Sequence, residues 1–368
     1  MRALGIDPGT GNFDFCCIED DVDRVVLDET FPSKLVAEET GKIIRVIKEA
    51  MPDVVAGPSG YGLPLKKVAE LSDDDLALTT LEKKTDSGIS VLSGVRRLLR
   101  MMKEEGINAY MVPGVVHLSS VPEHRKTNRI DMGTADKTCS AAYAVWDQSR
   151  RLGIKYGDTR LVCVELGYGY NAAVAVENGR IVDGFGGTCF PGPGYLSHGG
   201  MDGELAYLLG EVSKKILFTG GASYTALGSS VPIEDFVQGR SSVFRDGWSS
   251  FVEGVVKAVA GLSSVMDSKP YEVVLTGRLS RVPELREEII QAIDRRLGLK
   301  ARRPVNEFAR RAKDVAMGAA LVADGLGGGK YAELVESLEL RKCSGTVLDH
   351  VKLPSFEVRN IITQLRQD

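Results

Sequence analysis

Short apolar runs separated by turn-forming residues open the chain. Three runs are rich in apolar side chains, namely residues 3–6, 13–18 and 24–31. Residues 7–12 and 20–21 between them are typical of turns. Apolar runs of this length, bounded by turn chemistry, indicate β-strands. We therefore expect residues 2–31 to form three strands.

Apolar side chains at helical spacing then alternate with further short strands. The predicted helices cover residues 35–50, 88–105 and 134–152, and the predicted strands cover residues 53–57 and 109–112. Helices that alternate with strands in this way indicate an α/β fold.

The opening pattern recurs in the second half of the chain. A strand over residues 160–165 ends in Glu165, a glycine turn follows at 167–169, and two further strands begin at residues 171 and 181. Asp7 and Glu165 end the two corresponding strands and are 158 positions apart, which is the size of one domain. We interpret the recurrence as a duplicated domain plan.

Two helices rich in small residues follow the two halves. The first covers residues 134–152, and the second, which comes after a strand at 271–276 and a helix at 283–297, covers residues 314–324. Helices with small-residue faces can approach closely and slide, so we expect this pair to cross at an interdomain hinge. An ordinary alanine-rich composition is the alternative.

These patterns divide the chain into three parts. We expect a first domain over residues 1–152, a second domain over 153–326 and a C-terminal extension over 327–368, with one hinge helix in each domain. The pattern assigns no role to the extension or to an insertion-like stretch at 204–250.

Composition and charge exclude several classes of protein. The 368 residues are 43% apolar and 26% charged, which is typical of globular chains and excludes a disordered or collagenous one. The net charge of −4 argues against a nucleic-acid partner. No apolar run approaches the roughly 20 residues of a membrane span. The six cysteines lack metal-ligand spacing, and residues 1–7 lack the apolar pattern of a signal peptide. We therefore expect a cytoplasmic protein with reduced thiols and no membrane partner.

The first candidate site is the turn after the first strand, where Gly9, Thr10 and Gly11 follow Asp7. A glycine turn leaves backbone N–H groups free to face an anion, and Thr10 adds a hydroxyl donor. Asp7 can hold Mg²⁺ through water while the metal binds phosphate. A tight hairpin that happens to contain an acid is the alternative.

The second candidate site repeats this chemistry, with Glu165 followed by Gly167, Gly169 and the amide of Asn171. Either turn alone fits a plain hairpin. The pair favours two phosphate-binding loops on facing domains, with Asp7 and Glu165 as the metal ligands.

Two other segments carry candidate ligand contacts. Gly277 and Arg278 lie in a strand-to-helix turn that allows the backbone to approach a flat ligand closely. Asp136 lies in the first turn of the first hinge helix, where the helix dipole favours any acid. Asp136 could instead face the acceptor as a catalytic group, and Asp131 is the competing acid. Asp7 is the other candidate catalytic residue, in addition to its role as a metal ligand.

The acid-and-glycine hairpins, the Leu-Thr-Gly turn at 275–277 and the two small-residue helices together resemble the actin-like ATPase superfamily of acetate and sugar kinases, chaperone ATPases and actin. The resemblance covers most of residues 1–326. It implies an α/β fold of duplicated actin-like (ribonuclease H-like) domains with an interdomain cleft for ATP and Mg²⁺. Asp7 and Glu165 then correspond to the phosphate-loop acids, and Gly277 lies in the adenosine loop.

Within this superfamily, residues 165–183 and the stretch 192–194 resemble the short-chain acyl kinases, butyrate kinase above all. Those kinases usually carry His at the position of Glu165, and an Arg after the glycine/proline stretch, where residues 195–202 of this chain contain none. The chain therefore resembles a divergent, archaeal-type predicted butyrate kinase. Type III pantothenate kinases have a similar Gly-x-Asp-Arg segment in which the acid acts as base. That similarity implies that Asp136 faces the acceptor, with Lys137 at the Arg position.

The expected function is transfer of the γ-phosphoryl group of ATP, with Mg²⁺, to a small-molecule acceptor, best interpreted as a short-chain carboxylate. The alternatives are a kinase of a pantothenate-like or sugar-like hydroxyl acceptor and a non-enzymatic nucleotide-dependent switch. A homodimer is a further expectation.

The two classes of acceptor need different side chains. A carboxylate is already ionised at pH 7, because its pKa is about 4, so it needs a cation and not a base. Four basic residues before the first hinge helix are candidates for this cation: His117, His124, Arg125 and Arg129. A solvated position on the surface is the alternative for each of them. Residues 59–62 and His198 are further candidates for the acceptor pocket.

Overall fold

Strands and helices alternate along the chain in the computed structural model, which describes residues 1–86 and 88–366. The strands are β1 (Arg2–Pro8), β2 (Asn12–Glu19), β3 (Asp21–Pro32), β4 (Val54–Ala56), β5 (Lys66–Lys67), β6 (Ala109–Met111), β7 (Arg160–Leu166), β8 (Asn171–Glu177), β9 (Arg180–Phe185), β10 (Glu272–Thr276) and β11 (Ala301–Arg302). The helices are α1 (Ser33–Glu38), α2 (Thr40–Ala50), α3 (Asp73–Thr80), α4 (Ser90–Glu104), α5 (Glu123–Lys126), α6 (Ala135–Leu152), α7 (Gly203–Leu209), α8 (Ile233–Gln238), α9 (Arg245–Ser264), α10 (Pro283–Leu297), α11 (Asp314–Leu326), α12 (Ala332–Ser337) and α13 (Val358–Leu365).

The first sheet has six strands in the order β3-β2-β1-β4-β6-β5. Its first three strands form an antiparallel meander, and β4 and β6 add parallel to β1. The three strands expected in residues 2–31 are confirmed. The single helix expected over residues 35–50 is wrong, because Glu39 leaves the helical conformation with φ −119° and ψ 44° and separates α1 from α2. Thr40 and Gly41 follow the break, and both residue types are poor helix formers.

The second sheet has five strands in the order β11-β10-β7-β8-β9 and repeats the plan of the first. Strands β7, β8 and β9 form an antiparallel meander, and β10 adds parallel to β7 with Thr276 paired to Glu165. The duplicated α/β plan is therefore confirmed. Asp7 and Glu165 occupy equivalent places, near the ends of the first strands of the two sheets.

The two small-residue helices pack against each other between the sheets. A Cβ atom added to Gly318 of α11 would lie 2.0 Å from the carbonyl oxygen of Cys139 in α6, so the two backbones are in direct contact. A Cβ atom added to Gly5 of β1 would lie 2.2 Å from the carbonyl oxygen of Ala316 in α11. Helix α11 therefore packs on the first sheet although it follows the second sheet in sequence, and α6 packs on β7 and β8.

Both segments without a predicted role pack onto the rest of the chain. After α11, the extension contributes buried apolar side chains, among them Leu334, Leu338 and Leu348, to the hydrophobic core of the first sheet. In the stretch 204–250, the side chain of Lys214 reaches the carbonyl oxygens at the end of α3. The division at residues 152 and 326 stays a prediction. Within the described part of the chain, no helix combines the length and the apolar character that crossing a membrane requires.

The contact between α6 and α11 predicts that Gly318→Ala destabilises the protein. The added methyl group meets backbone atoms, which cannot rotate away, so the helices must separate. Overpacking of this kind costs about 1–3 kcal/mol and outweighs the gain of at most about 1 kcal/mol from replacing a helical glycine. Urea unfolding measures the change. The control is Gly157→Ala, because a Cβ atom there meets nothing within 4 Å. Equal stabilities of the two variants would contradict the close contact.

Candidate active site

A cleft with about 1170 Å³ of empty volume, part of it open to solvent, brings residues of both sheets together. Asp7 and Glu165 both line it, at 5% and 8% exposure. Of the other predicted site residues, those in the cleft wall are Gly9, Thr10, Gly11, Asp131, Asp136, Gly167, Gly169, Gly277 and Arg278. The glycine turns that follow equivalent strands therefore open into one space.

The two glycine turns touch each other across the cleft. Gly167 closes the second turn by donating its N–H to the carbonyl oxygen of Tyr170 at 3.0 Å. A Cβ atom added to Gly169 would lie 2.7 Å from the hydroxyl oxygen of Thr10 in the first turn. Gly11 has open space around it, with nothing within 4 Å of an added Cβ atom. Because Gly11 has no side chain, the backbone of the first turn is open to the cleft. Because Gly169 has none, the second turn can approach Thr10.

A buried ammonium group lies among the carboxylates of the cleft. Lys137 is 8% exposed, and its Nζ donates to Oε1 of Glu165 at 2.8 Å and to Asp136, the preceding residue in α6. Asp136 also accepts a hydrogen bond from the hydroxyl of Thr134. Burial lowers the pKa of Lys137, but Asp136 and Glu165 outweigh it, and the pKa is raised. Lys137 therefore stays charged at neutral pH.

Burial disfavours the ionised forms of two acids of the cleft, Asp7 and Glu165. Burial raises the pKa of Asp7 well above its ordinary value, with Lys313 opposing the shift and neighbouring acids adding to it. Burial also raises the pKa of Glu165, and Lys137 opposes that shift. The charge of Lys313 is already engaged, because its Nζ forms an ion pair with Asp14. Additional positive charge beside Asp7 and Glu165 would therefore stabilise their ionised forms.

A divalent cation would supply positive charge beside Asp7 and Glu165. Oε2 of Glu165 is buried and has no hydrogen-bond partner within residues 1–86 and 88–366. In the same part of the chain, no group of three His, Cys, Asp or Glu residues has the arrangement of a metal-binding cage. Mg²⁺ suits such a site, because it usually keeps several waters and takes only one or two carboxylates plus substrate phosphates.

The turn at Gly277 lies against the end of β7. Gly277 has φ +82°, and a Cβ atom there would lie 2.7 Å from the carbonyl oxygen of Leu166, so only glycine suits the position. Its N–H donates to Oδ2 of Asp314 at 2.9 Å. The Arg278 guanidinium lies 5.6 Å from the ring centroid of Tyr168. Asp314 was not predicted as a site residue, although an acid at the start of a helix is a signal that the sequence shows.

A second region of the cleft combines aromatic, apolar and cationic side chains. Tyr61, from the predicted segment 59–62, lies with its ring centroid 4.8 Å from Nζ of Lys214. The rings of Tyr170 and Phe218 meet edge to face at 5.3 Å. Three residues of α4 complete the wall: Val91, Leu92 and Val95. Lys214 and Phe218 were missed because they belong to the stretch 204–250, whose place in the fold no local pattern indicates.

Asp131 and Asn171 are held by contacts within the protein. Asp131 lines the cleft, but its Oδ1 accepts from the N–H of Gly133, and its Oδ2 accepts from both the N–H and the hydroxyl of Thr188. Asn171 is 1% exposed, lies outside the cleft wall and donates its amide N–H to the carbonyl oxygen of Pro193 at 3.3 Å. The amide of Asn171 therefore supports the loop at 192–194.

The basic residues considered as the acceptor cation lie elsewhere. None of His117, His124, Arg125, Arg129 and His198 is part of the cleft wall. Burial lowers the pKa of His117 to about 4, so its ring is neutral at pH 7. Arg125 donates to the carbonyl oxygens of Val182 and Val265. The five candidate residues therefore do not face this cleft, and Lys214 is the cation that lines its second region.

A family model described as "Protein of unknown function (DUF1464)" matches residues 5–353. The chain belongs to the DUF1464 family. No curated protein matches its sequence.

Among solved structures, this DUF1464 protein is similar to two acetate kinases. Acetate kinase from Entamoeba histolytica superimposes with a TM-score of 0.56 at 13% identity, over 80% of this chain and 86% of that one. Acetate kinase from Porphyromonas gingivalis superimposes with a TM-score of 0.55 at 13% identity, over 80% and 87% of the two chains. At this identity the similarity shows the fold, which is the actin-like α/β fold expected from the sequence.

The contacts of Lys137 predict a pH-dependent loss of stability in the variant Lys137→Met. At pH 7 the change leaves buried carboxylates without their ammonium partner, which costs about 3–5 kcal/mol. Burial raises the pKa of Glu165 in the folded protein, whereas the pKa in the unfolded chain is about 4.3. Ionisation of Glu165 therefore opposes folding above about pH 4.3, and more strongly without Lys137. As the pH falls, Glu165 takes up a proton, and the cost of leaving it without an ammonium partner disappears. The difference in unfolding free energy from the wild type should therefore shrink between pH 7 and pH 4.5, as measured by urea unfolding.

The matched control is Lys257→Met, which removes an exposed lysine of α9. It should change stability by less than about 0.5 kcal/mol at either pH. A Lys137 variant with the same deficit at both values of pH would refute the coupling to Glu165.

Proposed function

We propose that this protein is an ATP- and Mg²⁺-dependent phosphotransferase that transfers the γ-phosphoryl group to a small acceptor. The observation that carries the proposal is the contact between the two glycine turns, which gathers Asp7, Glu165, Asp136 and Lys137 around one cleft. Phosphoryl transfer depends mainly on positioning and on neutralisation of charge, and this site offers backbone N–H groups, an ammonium group and carboxylates for a metal.

Asp7 and Glu165 are the residues that would hold Mg²⁺. When bound, the metal supplies positive charge between these carboxylates and the phosphates of the nucleotide. Glu165 has one buried oxygen available for this purpose, because only its other oxygen is engaged by Lys137. Asp7 has no ion pair within 4.0 Å among the described residues and faces the same space.

The surrounding residues orient the nucleotide. The turns at 9–11 and 167–169 present backbone to the cleft, and Lys137 lies beside them with its charge retained. Gly277 brings the backbone of its turn close to Glu165, and Asp314 fixes that turn through the N–H of Gly277. A flat base would lie against this turn and Arg278.

Closure of the cleft would exclude water from the transfer. Helices α6 and α11 connect the two sheets and meet through small residues. A slight slide at this contact would change the width of the cleft. Closure that expels water protects the phosphoryl group from hydrolysis and completes the acceptor pocket.

The acceptor that we favour is a short-chain carboxylate. One of its oxygens attacks the γ-phosphorus, and the bond from that phosphorus to the bridging oxygen breaks, which yields an acyl phosphate and ADP. No proton has to be removed, because the carboxylate is already ionised at pH 7. The second region of the cleft supports this choice, since it pairs an ammonium group with apolar walls.

A hydroxyl acceptor is the second candidate, and the position of Asp136 favours it. Asp136 lines the cleft and is a carboxylate that could take the proton of an attacking hydroxyl group. Its two oxygens are held by Thr134 and Lys137, so it is an oriented group.

The metal site predicts that Asp7→Asn and Glu165→Gln lower the rate of ATP turnover. Loss of one group that stabilises charge in the transition state costs about 100- to 1,000-fold in rate. Removal of divalent metal with EDTA should reduce wild-type turnover to the background, and added Mg²⁺ should restore it. The rate of ADP release in a coupled assay measures both effects.

The matched control for these variants is Asp246→Asn. The side chain of Asp246 is 96% exposed and lies 3.7 Å from the exposed side chain of Arg245. Its turnover should equal that of the wild type. Full activity of Asp7→Asn with Mg²⁺ would rule out the proposed metal site. ATP binding that no acceptor converts into turnover above the basal rate would favour a nucleotide-dependent switch.

Trapping with hydroxylamine distinguishes the two acceptor classes. An acyl phosphate reacts with hydroxylamine to form a hydroxamate, which absorbs visible light as its iron complex, whereas a phosphate ester of a hydroxyl group does not. If the acceptor is a carboxylate, Asp136→Asn should reduce the rate by less than tenfold. If it is a hydroxyl group, the same change should reduce the rate by about 100- to 10,000-fold. The control Thr134→Val removes a hydrogen bond of Asp136 while the carboxylate remains.

A further inference from the structure

The side chain of Lys214 reaches from the stretch 204–250 to the end of α3. Its Nζ donates to the carbonyl oxygens of Thr80 at 2.7 Å and Leu81 at 2.9 Å. Its backbone N–H donates to Oδ1 of Asp86 at 2.8 Å. These contacts fix the ammonium group in the cleft wall, on the face of the Tyr61 ring.

The ammonium group of Lys214 has capacity left for a ligand. Among the residues that the structure describes, no carboxylate oxygen lies within 4.0 Å of its Nζ. The two carbonyl oxygens use two of its three N–H groups. A partly buried cation without an ion-pair partner is costly, and an anion in the cleft would relieve that cost.

The surroundings of Lys214 restrict the shape of such an anion. Phe218 lies one turn further along the same segment and meets Tyr170 edge to face. The three apolar residues of α4 line the same cleft and are less than 10% exposed. A ligand with one negative group and an apolar tail therefore matches the wall better than a sugar, which would leave its hydroxyl groups without partners.

We propose that Lys214 binds the carboxylate of the acceptor and that the acceptor is a monocarboxylate with an apolar tail. This inference rests on the proposed phosphotransferase function, because it assigns the second region of the cleft to the acceptor. It makes the stretch 204–250 the element that determines specificity, since that stretch supplies both Lys214 and Phe218.

Carboxylate-induced stabilisation tests this assignment without requiring turnover. The probes are sodium acetate, butyrate and hexanoate, each compared with the alcohol of equal chain length at constant ionic strength. Butyrate and hexanoate should raise the thermal midpoint of the wild type, and the alcohols should not. In Lys214→Met the affinity for these carboxylates should fall about 10- to 100-fold, as expected for loss of a hydrogen bond to a charged group. The affinity for an ATP analogue should stay unchanged.

Two variants separate ligand binding from a structural role. Lys215→Met removes the neighbouring exposed lysine and should bind carboxylates as the wild type does. Lys214→Arg keeps the charge and should retain carboxylate binding. It provides the test if Lys214→Met folds poorly. Loss of nucleotide and carboxylate affinity together would show that Lys214 only supports the fold.

The pH dependence of carboxylate binding gives an independent readout. Burial lowers the pKa of Lys214 to about 8. The charged and titratable groups that face it are Tyr61, Glu82, Asp86, Arg96 and Asp131. The ammonium form is therefore lost as the pH rises through about 8, and wild-type affinity for butyrate should decline between pH 7 and pH 9. The guanidinium of Lys214→Arg remains charged, so its affinity should stay level.

The outcomes distinguish this inference from the proposed function. If no carboxylate stabilises the wild type, or if Lys214→Met binds butyrate as the wild type does, the assignment of Lys214 is wrong. If binding depends on Lys214 and follows the predicted pH profile, the carboxylate site stands. If hydroxylamine then traps no acyl phosphate in the presence of ATP and Mg²⁺, the proposed transfer reaction is wrong while the carboxylate site remains.

Discussion

The buried ammonium of Lys137 is the interaction on which the arrangement of the cleft depends. It joins Asp136 on its own helix to Glu165 on the first strand of the second sheet. Without this charge, the carboxylates of the cleft would repel one another in a poorly solvated space, where Coulomb interactions are stronger than in water. The position of α6 relative to β7 and the ionisation of Glu165 are therefore coupled through one side chain. Lysine suits this place because its compact ammonium group can contact two carboxylates at once.

The close packing of α11 fixes the position of the residues on the other side of the cleft. Gly5 and Gly318 let this helix contact both β1 and α6 with their backbones, so its axis cannot move far from either. Asp7 follows Gly5 by two residues on β1, and Asp314 begins α11 and holds the N–H of Gly277. One helix thus sets the position of the first glycine turn and of the turn at Gly277. This is a physical reason for small residues along a helix that, in the described part of the chain, lines the cleft only through Val315 in its first turn.

Local patterns were sufficient to predict most of the fold and part of the candidate site. Asp7 and Glu165 each combine a strand end with a glycine turn, and the repetition of that pattern placed them in one cleft before any geometry was known. Other features depend on contacts between residues distant in sequence. The side on which Asn171 points depends on the register of β8, where a shift of one residue exchanges the two faces. Lys214 enters the cleft only because an irregular stretch crosses to α3. The helix break at Glu39 is a local change of backbone conformation, and the periodicity of apolar residues does not predict it.

The distribution of charge explains why a cleft of this kind would need cations at both of its ends. The part of the cleft near the glycine turns is lined by three acids, namely Asp7, Asp136 and Glu165, and by the cations Lys137, Lys313 and Arg278. The two lysines are already paired with carboxylates, so a divalent metal would add the charge that separates a polyphosphate from Asp7 and Glu165. A carboxylate acceptor adds one more negative charge to the same enclosed space. Lys214 offers that charge a separate cation, with no carboxylate within 4.0 Å in the described part of the chain. On the proposed function, donor and acceptor are two anions that must come into contact, and the barrier from their repulsion falls only if each brings or finds its own positive charge. On this proposal, Asp7 and Glu165 at the strand ends would meet the requirement through a metal, and Lys214 of the irregular stretch would meet it without one. A change of acceptor preference near Lys214 would then leave the nucleotide site undisturbed.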